Sequence, residues 1–197
     1  MRKPTLVLAV AAILAAHPAT AQSPAPPAVL ATSKPIHSLV AQVMEGVGTP
    51  RLLIDGNQSP HNYALRPSDA RALGEAKVVF RISSDIEPFT EKAFGALPKS
   101  TVKASLASAP GVKTLPQRQT ATFEKAKHGH SHGHSHGHKH ATVDGHVWLD
   151  PDNAKAMVDH IASVLSKADV ANAQRYAANA VAAKARLDTL DQEIRTT

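Results

Sequence analysis

The chain contains no cysteine. No disulfide can support its fold, no thiolate can serve as a metal ligand, and export by a lipoprotein route, which needs a cysteine at the processing site, is excluded. Any metal site must be built from His, Asp or Glu. Aromatic residues make up only 4% of the chain, with a single tryptophan, and the basic residues are scattered along it. Nucleic-acid binding wants a concentrated basic face and stacking rings, so no nucleic-acid partner is expected. The formal charge of +6 reads as ordinary surface charge. There is no H-E-x-x-H run and no nucleophile elbow, and the chain is not expected to be an enzyme. Long hydrophobic runs are missing as well. The stretch Leu6 to Ala16 is too short to cross a bilayer, and Pro18 ends it. No direct membrane insertion of the mature protein is expected.

That short apolar stretch has company. Arg2 and Lys3 precede it, and Ala19-Thr20-Ala21 follows with a small-x-small pattern. This is the form of a cleavable secretory signal over residues 1–21, with the mature chain starting at Gln22. An anchor helix would need a longer run. Losing the two basic residues of the signal leaves 20 basic and 16 acidic residues, a net charge of +4. An exported chain without cysteine fits the periplasm.

The most unusual segment is HGHSHGHSHGHKH. Here seven histidines, His128, His130, His132, His134, His136, His138 and His140, fall within thirteen residues. Histidine, Gly and Ser in this pattern cannot form an apolar core, so the run reads as a solvated low-complexity loop. Imidazole is a common ligand for Zn²⁺, Cu²⁺ and Ni²⁺, and a ligand at every second position can wrap such an ion in many equivalent ways. An expression tag is the bland alternative, but a tag usually sits at a terminus without Gly and Ser interruptions. The loop is expected to hold more than one ion loosely and to release them below about pH 6. By the Irving–Williams order a bare histidine strip prefers Cu²⁺ to Zn²⁺.

The remaining chain alternates short apolar runs with helical periodicity. Val29–Ala31, Leu52–Ile54, Val78–Phe80 and, more weakly, Thr101–Ala104 read as strands. Between them, Pro35 opens a helix with Ile36, Leu39, Val40, Val43, Met44 and Val47 on one face. Pro67 starts a second, through Ala76, and Glu87–Leu97 reads as a third. Continuous apolar strands alternating with helices argue an α/β fold, a parallel sheet covered by helices on both faces. Residues 107–142 read as one long loop. The run His146-Val147-Trp148-Leu149 reads as a short apolar strand, and Asp150-Pro151 as the cap and first residue of a helix buried through Ala154, Met157, Val158, Ile161 and Leu165. Last comes a long amphipathic helix. Its stripe, Ala173, Tyr176, Ala180, Ala183, Leu187, Leu190 and Ile194, steps 3 and 4 in turn. No later element is present to cover that stripe fully, so marginal stability or self-association is expected.

Two histidines stand at candidate loop–strand junctions, where open α/β sheets place ligands: His61, after the second strand, and His146. Each alone is more often a surface or hydrogen-bonding histidine. Together, beside a histidine-rich loop, they make metal binding the better reading.

Three segments carry a family resemblance: Ser33-Lys34-Pro35-Ile36-His37-Ser38-Leu39-Val40, Ser59-Pro60-His61-Asn62-Tyr63-Ala64-Leu65-Arg66-Pro67-Ser68-Asp69 and Gly145-His146-Val147-Trp148-Leu149-Asp150-Pro151. They resemble the periplasmic zinc-binding proteins of ABC importers, the ZnuA type, over about residues 28–195. A long histidine-rich loop just before the H-V-W-L-D-P run is also in the family's place. The resemblance implies one lobe (residues 22–106 and 143–168) of a two-lobe protein, the loop at 107–142, and a long connecting helix at 169–197. It matches the family's first two zinc ligands to His61 and His146. Arg66 and Asp69 belong to the motif and read as structural; His37 and Glu87 are familiar positions without a case as ligands. The Gly usually found after the third strand is missing from Phe80-Arg81-Ile82-Ser83-Ser84-Asp85.

The family's third histidine and a nearby acidic residue lie beyond the long helix, so the second lobe is expected to be absent from this chain and the two-histidine site to be weak. The implied function is high-affinity zinc uptake, with Zn²⁺ as the transported ligand and a membrane ABC permease as partner. The alternative is a periplasmic metal buffer, or a truncated fragment, that binds metal only through the loop. Manganese importers of the same superfamily favour more carboxylates and usually lack such a loop.

Overall fold

The computed structural model describes residues 25–117 and 143–196. The segment expected to be a secretory signal, residues 1–21, and His128–His140 therefore lie outside the described residues.

Four parallel strands form the sheet: β1 (Val29–Ala31), β2 (Arg51–Leu52), β3 (Val78–Arg81) and β4 (Val102–Ser105), in the order β2-β1-β3-β4. Leu53 and Ile54 were expected inside the second strand. They lie just past it, yet their N–H groups still donate to the carbonyls of Ala31 and Thr32 at 2.9 and 3.0 Å. The expected α/β architecture is the observed one.

The helices are α1 (Lys34–Val43), α2 (Pro67–Glu75), α3 (Phe89–Ala96), α4 (Pro151–Ala168) and α5 (Ala173–Thr196). Alternation along each strand divides the sheet residues between two apolar layers. Val29, Ala31, Val78 and Phe80 face α1, α4 and α5, whereas Leu30 and Val79 face α2 and α3. Each central strand is thus buried on both faces, which is why it reads as a continuous apolar run. Asp150 caps α4 as expected, its side chain accepting from the N–H groups of Asp152 and Asn153.

Two expectations need correction. The run His146–Leu149 is not a strand. Val147–Leu149 forms a 3-10 turn in which Val147 is buried and Leu149 is 72% exposed. The strand lies just before it: β6 (Val143–Asp144) pairs antiparallel with β5 (Leu115–Pro116). Residues 107–117 are accordingly structured rather than part of one long loop. Asn153 holds this stretch in place, accepting from the Lys113 N–H at 2.7 Å and donating to its carbonyl at 2.8 Å.

The stripe of the last helix is also better covered than expected. Tyr176, Ala180 and Ala183 are buried against α1 and α4, with Leu187 packed at the edge. Alanines let the helix backbones approach closely, and Asn179 ties α5 to the end of α1 by donating to the Val43 and Glu45 carbonyls at 2.9 and 2.7 Å. Only the far end stays open, with Leu190 45% and Ile194 56% exposed. Replacing both with lysine should change stability by less than about 0.5 kcal/mol, as for surface positions generally, which urea denaturation would measure. Among the described residues no helix is long and apolar enough to cross a membrane.

Candidate metal centre

The sheet reverses its winding between β1 and β3, and open α/β sheets bind ligands beyond the strands' carboxyl ends at such a point. His61 lies on the connection from β2 to α2, in a 3-10 turn (Pro60–Asn62) where Ser59 Oγ accepts from the His61 N–H at 3.4 Å. Pro60 stiffens the first position of that turn. His146 follows β6. The segment Asp144-Gly145-His146 crosses the loop after β3, where a Cβ on Gly145 would stand 2.5 Å from Ile86 Cγ1. Only glycine fits so close an approach.

The two rings come together, with centroids 5.4 Å apart at an interplanar angle of 53°. Two imidazoles bound to one tetrahedral zinc, at about 2.0–2.1 Å per bond, have centroids about 5 Å apart. The centroid of the His146 ring also lies 5.2 Å from that of the Trp148 ring. A cavity of about 180 Å³ is walled partly by Pro60, Ile54, Ile82 and Trp148, and one of about 350 Å³ is lined by Asp144, His146, Asp150 and Asn153. Among the described residues, no group of three His, Asp or Glu side chains is arranged to hold a metal ion.

A second layer steadies the His61 loop. Asp69 accepts from Tyr63 Oη at 2.7 Å, from the Arg66 N–H at 2.9 Å and from Arg66 Nε at 3.0 Å. Burial pushes this carboxyl up, but the hydrogen bonds from Arg66 and Tyr63 prevail and hold it at about 2. A pKa depressed on folding contributes stability above the unfolded value of about 3.9 and loses it as pH falls through the folded one. Asp69→Asn should therefore lower stability at pH 7 by about 1–3 kcal/mol and flatten the acid limb between about pH 4 and 2. Denaturation at a series of pH values checks both. The structural reading of Arg66 and Asp69 agrees with this geometry.

Glu87 is fully buried. Its carboxylate accepts from Thr32 Oγ1 at 2.5 Å and from the Ile82 N–H at 2.7 Å, joining the ends of β1 and β3. Burial raises its pKa against the opposing effect of those hydrogen bonds. His37 Nε2 lies 3.0 Å from the Pro50 carbonyl, so that ring is engaged in the scaffold. Sequence reasoning passed over Asp144, whose carboxylate touches the His146 ring, and took Gly145 only as part of a motif. The signal was present in Asp-Gly-His, since an Asp two residues before a backbone N–H favours an Asx turn.

The family model of the zinc-uptake complex component A, periplasmic (ZnuA), matches residues 29–197. The chain belongs to this family. The high-affinity zinc uptake system protein ZnuA of Brucella abortus (strain 2308) is 36% identical over 188 residues, covering 84% of this chain and 56% of the relative. The protein of the same description from Paracoccus denitrificans (strain Pd 1222) is 33% identical over 216 residues, covering 100% of this chain and 64% of the relative. Among solved structures, the Zn(II)-bound ZnuA-like domain of Streptococcus pneumoniae AdcA superposes with a TM-score of 0.66 at 21% identity, over 85% of this chain and 54% of that one. The Mn-bound periplasmic metal binding protein from candidatus liberibacter asiaticus gives 0.65 at 18% identity, over 81% and 52%. These likenesses show a shared fold. The chain spans roughly half to two thirds of the length of these ZnuA relatives.

Within the ZnuA fold, Gly145→Ala makes a sharp test of the site's construction. The added methyl must displace Ile86 or the His146 backbone, at a cost of about 1–3 kcal/mol. Denaturation should show that loss, and zinc titration a weaker site.

Proposed function

We propose that this chain captures Zn²⁺ in the periplasm as part of a high-affinity uptake system and hands it to a membrane ABC permease. His61 and His146 are the protein ligands that this lobe contributes. The observation that carries the reading is the 5.4 Å spacing of their rings, close to that of two imidazoles on one zinc ion. Membership of the ZnuA family and the zinc-uptake relatives support zinc as cargo. The run His128–His140 gathers ions close by in sequence, since His140 stands six residues before His146.

Water or further ligands complete the tetrahedron, and the pair alone makes a weaker site than three imidazoles. The metal-buffer reading, in which only the loop binds, is separated by one experiment. Zinc is titrated against a chromophoric chelator, with and without residues 128–140. One ion per chain surviving the deletion supports capture at the histidine pair. Loss of all binding with the loop would leave a buffer.

A further inference from the structure

Asp144 has no part in the reading so far, yet it holds His146 at two points. Its Oδ1 accepts from the His146 backbone N–H at 2.9 Å and lies 2.7 Å from the ring Nδ1. An ionised carboxylate only accepts, so the ring contact requires a proton on Nδ1. A neutral imidazole carries one ring proton, and placing it on Nδ1 leaves the lone pair on Nε2. The two nitrogens flank Cε1 and their in-plane directions diverge widely, so the carboxylate oxygen on Nδ1–H cannot also reach a metal bound at Nε2.

The surrounding chain prevents this grip from drifting. Asp144 is paired with Leu115 in the β5–β6 ribbon, Gly145 is pressed against Ile86, and Trp148 flanks the ring. We propose that Asp144 is the positioning residue of the metal centre: it sets the tautomer and orientation of His146 so that Nε2 ligates, and is not itself a ligand. Outer partners of this kind raise ligand basicity and typically contribute 10–100-fold in metal affinity. The inference rests on His61 and His146 being metal ligands.

The test has one readout that needs no metal. Long-range ¹⁵N–¹H correlation spectra are recorded on the full metal-free chain at about pH 8.5, where free imidazole is neutral. His146 is assigned by its loss in His146→Ala. The wild-type ring should be protonated on Nδ1, Asp144→Asn should keep that tautomer through its amide oxygen, and Asp144→Ala should lose it. Zinc titration followed on the His146 resonances, against a competing chelator, should show about 10–100-fold weaker binding in Asp144→Ala and clear rescue in Asp144→Asn. A wild-type ring protonated on Nε2 would overturn the proposal. So would equal losses in the two variants, since an aspartate ligand would not be replaced by asparagine. Failure of the wild-type pair to bind zinc would instead sink the metal reading, leaving the tautomer result intact.

Discussion

Zinc binding at the proposed histidine pair should be lost when both rings are removed. In protein lacking residues 128–140, His61→Ala with His146→Ala should abolish saturable binding of the surviving ion. Each single replacement should weaken it by more than about 100-fold, the upper end of what an outer-shell partner alone is worth. The two effects should be far from additive, because one imidazole left by itself cannot enforce a tetrahedral site and residues sharing one site couple strongly. His37→Ala is the internal control: its ring bonds the Pro50 carbonyl, so zinc affinity should stay put. A double variant that still binds one zinc at wild-type strength would remove the pair from the mechanism, whatever the ring spacing suggests. Isothermal calorimetry with chelator competition reads stoichiometry and affinity together.

Tyr176→Ala should produce the largest loss of stability, about 3–5 kcal/mol, the range for truncating a large buried aromatic. Tyr176 is fully buried between α5 and the sheet-covering helices, and its hydroxyl donates to Asp169 Oδ2 at 2.8 Å. Natural domains have only about 5–15 kcal/mol in reserve, so the midpoint of thermal unfolding should fall by roughly 10–15 °C. Tyr176→Phe keeps the ring and loses one hydrogen bond, which should cost about 1 kcal/mol. Circular dichroism melts of the three proteins distinguish packing from hydrogen bonding. A small effect of Tyr176→Ala would mean that α5 is not held on the lobe as the structure has it. The salt bridges along the same helix, such as Lys184–Asp159 at 2.7 Å, are half-exposed and contribute little beside the buried ring.

Much of this was legible in the order of residues, and some was not. Periodicity is local, so Val29–Ala31, the α1 stripe from Ile36 to Val43 and the α4 stripe from Ala154 to Leu165 could be placed before any tertiary contact was known. The start of α4 was equally local, since Asp150 and Pro151 act on their own turn. His61 stood out by its motif and its place after a strand. The segment His146–Leu149 misled because three consecutive apolar residues look alike as strand or turn, whereas Val147 is buried, Trp148 packs at the edge of the core and Leu149 faces out. Deciding between them took the Asp144 carboxylate, which folds back onto the His146 N–H, and Leu115, which pairs with Asp144 from 29 positions away in sequence.

Sequence by itself determined the α/β alternation, the absence of thiol chemistry, the histidine-rich composition and the two histidines worth watching. All follow from residue type and short-range spacing. Only tertiary structure decided that His61 and His146, 85 residues apart, bring their rings to 5.4 Å, that α5 has half its stripe covered by α1 and α4, and that Gly145 must lack a side chain. These depend on distances between segments remote in the chain, and hydrophobic burial sets those only when the whole sheet and its helices have closed together.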